Sequence, residues 1–88
     1  MIRDTLAFKV QLQAMFDEID YAVKEYGTYH SAHEAYAVIK EELDELWEEI
    51  RKKQADRVKS KMAHEAIQVA ATALRLAVEI QYWAGENG

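Results

Sequence analysis

The stretch SAHEAYAVIKEELDELWEEI, Ser31–Ile50, decides the fold. Ala32, Ala35, Ile39, Leu43, Leu46 and Ile50 recur at three- and four-residue steps, the period of a helix with one apolar side. Ser31 with Glu34 three residues on reads as a capping box that opens this helix. No proline occurs anywhere in the 88 residues, and the three glycines are Gly27, Gly85 and Gly88, so nothing breaks the helix before about Gln54.

On the N-terminal side, Phe8, Leu12, Met15, Ile19, Val23 and Tyr26 form a second apolar stripe, predicting a helix over roughly 4–26 that Gly27 ends. On the C-terminal side, a turn is expected near Lys53–Asp56, with Asp56 as N-cap of a third helix reaching about Trp83. That helix carries Val58, Met62, Ala66, Val69, Ala73, Leu76 and Ile80 on one side and Ile67, Ala71, Leu74 and Val78 on the other. A helix apolar on two faces needs two packing partners. Three helices from one short chain are too few to supply both, so the expectation is an all-α chain of three helices, one domain over 1–88, that assembles into a dimeric or tetrameric bundle.

Composition narrows the classes. With no cysteine there is neither a disulfide framework nor a thiolate metal site, and no argument for an oxidising compartment. A net charge of -5 argues against a basic nucleic-acid surface. The apolar runs are too short to span a membrane, and Met-Ile-Arg-Asp does not read as a signal peptide, so a cytoplasmic location is expected.

Six acids fall in the nine residues Glu41–Glu49; without them the chain holds ten acids against eleven bases, so the acidity belongs to one helix. Like charges three or four apart on a helix repel by roughly 0.2–0.5 kcal/mol per pair. The i,i+4 pairs Glu48–Lys52 and Glu49–Lys53 offer relief that does not reach Glu42 or Glu45. At about 100° per residue, Glu42 falls at the border of the apolar stripe and Glu45 one step outward on the same flank, whereas Glu41, Asp44 and Glu48 face solvent. Glu65 is the counterpart on the third helix, bordered by Val69, Leu76 and Trp83, with Gln68 one step beyond. A carboxylate at a core border must be paired or hold a cation, and oxygen ligands at i and i+3 suit Mg²⁺ or Mn²⁺. Taken singly, a Glu-rich face is a solvated surface, and Glu65 alone can pair with Lys61.

The segment from about His30 to Arg75 resembles the MazG-like all-α nucleotide pyrophosphohydrolases, whose signature is Glu-Glu-x-x-Glu on one helix and Glu-x-x-Asp on the next. Here the first part is Glu41-Glu42-Leu43-Asp44-Glu45 and the second is Glu65-Ala66-Ile67-Gln68, with 19 residues between Glu45 and Glu65. The resemblance implies a homo-oligomer and a Mg²⁺ site. It also implies cleavage of a nucleoside triphosphate to monophosphate and pyrophosphate, in a house-cleaning or nucleotide-pool role. By position it makes Glu42, Glu45 and Glu65 metal ligands and places Glu41 where it can hold or activate a metal-bound water, so that Glu41, Glu42 and Glu45 are the catalytic candidates. Gln68 stands where the family has Asp; its amide oxygen can still ligate, with one negative charge fewer. The sequence also stops soon after the third helix, where family members continue into a further one.

Triphosphate binding calls for cations: Arg57, Lys59, Lys61 and Arg75 lie on or just before the Glu65 helix, with Lys61 and Arg57 as the substrate-binding candidates. Trp47 is a candidate for stacking on a base, although its place at the stripe's rim also fits packing. Tyr29, His30 and His33 sit where a pocket mouth would lie, and His30-x-x-His33 lacks a third ligand. The competing reading is a non-catalytic MazG-like module for oligomerisation or regulation, its metal site weakened by Gln68. A di-iron carboxylate bundle is excluded because no histidine has a Glu three residues before it.

Overall fold

Thr5 sets the first boundary. Its Oγ1 accepts the Phe8 N–H at 3.1 Å, so the α-helix α1 runs Leu6–Tyr26, two residues later than the apolar pattern predicts, with a 3-10 turn at Ile2–Asp4 before it. Gly27 closes α1 at φ 74°, a conformation L side chains rarely adopt. This computed structural model describes residues 1–84, and every regular element in them is helical. Gly85, Gly88 and the end of the chain lie outside the described residues.

The second helix, α2, spans Ala32–Ile50. Half of the capping box forms: Ser31 Oγ accepts the Glu34 N–H at 3.1 Å, while the Glu34 carboxylate turns to His30 Nδ1 at 2.9 Å. The helix stops about four residues short of the predicted Gln54. There Arg57 Nε donates to the Ile50 carbonyl at 2.8 Å, satisfying a helix-end acceptor, and the chain turns through a 3-10 segment at Gln54–Asp56. Ion pairing follows this early end: Glu48 pairs with Arg51 and Glu49 with Lys52, each three residues on rather than four. The third helix, α3, spans Lys59–Glu79 with Val58 at its N-cap and no side-chain cap bond, so Asp56 is part of the turn and not the cap. A 3-10 turn at Ile80–Tyr82 completes it just before Trp83.

α3 is the middle element. α2 packs along it and α1 packs on it as well, whereas among the described residues the α1 and α2 backbones do not come within 8 Å of each other, Cα to Cα. Both α1 and α2 therefore cover parts of α3 inside one chain, while Val58 and Ile80 of one apolar side and Val78 of the other stay exposed. Further apolar surface is uncovered on the other two helices. Among the described residues no large side chain is fully buried, and Phe8, Phe16 and Val23 on α1 and Leu43, Trp47 and Ile50 on α2 are substantially exposed.

A buried polar knot locks the α1–α2 link onto α3. Arg75 is 6% exposed, donates from Nη2 to the Gly27 carbonyl at 2.8 Å and from Nε to Glu79 at 3.3 Å, and stacks 4.2 Å from the Tyr29 ring centroid. Glu79 accepts the Tyr29 N–H at 2.7 Å, and the Tyr29 hydroxyl donates to the Thr72 carbonyl at 3.0 Å. The buried charge is thus paired and hydrogen-bonded, the condition under which burial is tolerated. The sequence alone groups Arg75 with the surface cations; its three partners come from the link and from the next turn of α3, and they bury it.

Candidate metal centre

Glu42 and Glu45 lie one turn apart on α2, and Glu65 sits on the facing part of α3. Each offers a carboxylate oxygen, and the three oxygens lie within 4.8 Å of one another. Glu42 and Glu65 are half-buried, and Glu45 is exposed. The small buried residues Ala35 on α2 and Ala71 on α3 leave room for neighbouring helices to approach. No basic side chain pairs with any of the three carboxylates among the described residues. Glu65 Oε2 is buried with no hydrogen-bond partner.

An unpaired buried carboxylate oxygen is costly, and the molecule responds by holding protons. Burial, the Glu45 carboxylate and then Glu65 and Glu41 push the Glu42 carboxyl up to about 7. Burial, followed by Glu45, also raises Glu65 above the ordinary carboxylate range. Three converging carboxylates that repel one another, one of them with a buried oxygen that has no partner, have the donor set of a hard divalent cation. The residues present fit Mg²⁺ or Mn²⁺.

The cluster opens into a pocket of about 300 Å³ to which all three helices contribute. Along α3 its floor is Glu65, Gln68, Thr72 and Arg75, residues at steps of three, four and three that share one helical face. Tyr21 and Tyr26 of α1 form another wall, their rings edge to face at 6.4 Å. Gln68 borders the pocket, its amide 3.5 Å from His64 Nε2.

The structure brings together Glu42, Glu45, Glu65 and Gln68 of the residues singled out in the sequence. It does not bring in the others. Glu41 is exposed and outside the cluster, although its charge still adds to the rise at Glu42. Arg57 is engaged at the end of α2, and Lys61 is exposed and does not border the pocket. Trp47, 57% exposed, lines a separate apolar groove with Leu43, Leu46 and Ile50. Tyr29 is buried in the polar knot, and His30 bonds to Glu34. Arg75, one of the four cations weighed in the sequence for triphosphate binding, does border the pocket, whereas Thr72, Tyr21 and Tyr26 were missed as pocket residues. For Thr72 a signal existed, the shared face with Glu65 and Gln68; for the tyrosines none did, since their place depends on how α1 crosses α3.

The described residues thus define an all-α chain with a three-carboxylate cluster between two helices. Comparisons with protein-family models, curated proteins and solved structures return no match for this chain. None of its described helices is long and apolar enough to cross a membrane.

Proposed function

We propose that this chain is a Mg²⁺-dependent nucleotide pyrophosphohydrolase of MazG-like type, working as a homo-oligomer and cleaving a nucleoside triphosphate to monophosphate and pyrophosphate in a nucleotide-pool role. The observation that carries the reading is the convergence of Glu42, Glu45 and Glu65, of which Glu65 has one carboxylate oxygen buried without a partner. Glu42, Glu45 and Glu65 would hold the cation, with Gln68 beside them as a neutral oxygen donor. A bound divalent cation supplies charge neutralisation for phosphate and a more acidic coordinated water. The reaction would join a water oxygen to the α-phosphorus and break its bond to the bridging oxygen, releasing pyrophosphate. The adjoining pocket, with its tyrosine wall, accommodates the organic end of such a substrate. Glu41, Lys61, Arg57 and Trp47 have no part in this reading, since none of them borders the pocket.

A second reading, a non-catalytic MazG-like module, is favoured by one observation: Arg75, the cation that borders the pocket, is already committed to Gly27, Glu79 and Tyr29. Mn²⁺ titration by calorimetry, followed by a screen of nucleoside triphosphates for pyrophosphate release, decides between them. The enzyme reading expects both binding and release, the second reading binding without release. Absence of binding at millimolar Mn²⁺ removes the metal centre from both.

A further inference from the structure

We propose that one end of this molecule, formed by the segment leading into α1 and by the turn between α2 and α3, is a docking surface for an anionic lipid bilayer. The inference is independent of the metal centre and of any chemistry there.

Charge is distributed unevenly along the chain. Residues 1–10 and 51–61 hold eight of the eleven Lys/Arg and two of the sixteen Asp/Glu, a net +6, whereas the remaining residues carry -11. The fold brings these two segments to the same end. Gln11 and Ala14 of α1 line a cavity with Ser60 and Ala63 near the start of α3, and Gly27, just past the end of α1, is bonded to Arg75 far along α3. α1 and α3 therefore run in the same direction, and the first residues of α1 lie beside the turn that leads into α3.

Local structure accounts for some of these cations and not for others. Arg51 and Lys52 pair with Glu48 and Glu49, and both suit the C-terminal end of α2. Arg3, Lys9, Lys53, Arg57, Lys59 and Lys61 are exposed, and none pairs with a carboxylate among the described residues. Lys59 and Lys61 stand in the first turn of α3, where the helix dipole favours anions, with no acid in that turn and no side-chain cap. Their placement is unfavourable in the isolated chain and becomes favourable against a negative surface.

The aliphatic side chains set among the cations select a bilayer. Ile2 is 80% exposed, Leu6 76%, Val10 54% and Val58 43%. A bilayer interface takes cations at its anionic headgroups and aliphatic side chains at its acyl boundary. A nucleic acid would engage the cations, but its bases stack on aromatic rings and leave aliphatic side chains without a partner. The acidic remainder of the chain, repelled by the same surface, orients the molecule end-on. The contact is peripheral and needs no helix to cross the membrane.

Sedimentation with vesicles tests this without metal or nucleotide. The wild-type chain should bind vesicles of phosphatidylcholine mixed with phosphatidylserine, should not bind phosphatidylcholine alone, and should be released by raised salt. Each cation near such a surface is worth about fivefold in partitioning, so Lys59→Gln combined with Lys61→Gln should weaken binding about 30-fold. Both changes remove charges that oppose the helix dipole, so the fold should be kept, as circular dichroism can check. Leu6→Ser should also weaken binding, whereas Lys24→Gln combined with Lys40→Gln, away from this end, should leave it unchanged. No binding to the anionic vesicles, or equal loss in the two double variants, overturns the proposal. So does a single-stranded oligonucleotide that binds through Lys59 and Lys61 while the vesicles stay unbound, an outcome that gives this end to nucleic acid.

Discussion

Glu42 shows most directly how one residue's surroundings become a measurable property. Its carboxyl is pushed from the ordinary 4.5 up to about 7 by burial and by Glu45. Between those values the folded, metal-free chain keeps a proton that the unfolded chain has released. The unfolded state then binds fewer protons, so this group's contribution to stability is full below about pH 4.5 and is lost as pH rises through 7. Thermal melts in chelator should show that fall, and Glu42→Gln should flatten it and raise the melting temperature near pH 7. Glu45→Ala should leave the fold intact or stabilised through relief of like-charge repulsion, and should remove pyrophosphate release. Gln68→Asp should tighten Mn²⁺ binding by restoring a negative charge beside Glu65, read by calorimetry. Glu42, Glu45 and Glu65 were legible from their angular place at an apolar border. The exclusion of Arg57 and Lys61 was not, because Arg57's bond to Ile50 exists only once α2 has stopped early.

At the scale of the elements, the link between α1 and α2 is held by side chains rather than by apolar contact. Arg75→Ala would leave Glu79 buried without its cation and the Gly27 carbonyl without its donor. It should cost about 3 kcal/mol, the order found for breaking a buried pair, with a melting temperature lower by more than 10 °C, on the order expected for a domain of this size. Tyr29→Phe keeps the stacking and removes only the bond to the Thr72 carbonyl, and should cost about 1 kcal/mol. Measured together, the two separate the ion pair from the hydroxyl. The three helices and the Gly27 and Ser31 boundaries were readable because capping chemistry is local. The end of α2 was not, since neither glycine nor proline marks it and a side chain seven residues downstream, Arg57, satisfies the terminal carbonyl.

For the whole molecule, the apolar pattern of α3 points to partners, and the structure finds part of them in α1 and α2, while Val58, Val78 and Ile80 of α3 and apolar residues of the other two helices stay uncovered. Periodicity shows that a helix has two apolar sides; which neighbour covers each depends on the order in which helices pack, and that is not written in any one of them. In the homo-oligomer proposed above folding and association are linked, and the melting temperature should rise with protein concentration. Calorimetric titration of Mn²⁺ into the wild-type chain and into folded Glu45→Ala tests the proposed cation site between α2 and α3. Saturable binding to the wild type that is lost in Glu45→Ala is expected. No binding at millimolar Mn²⁺, or equal binding by both proteins, would contradict it.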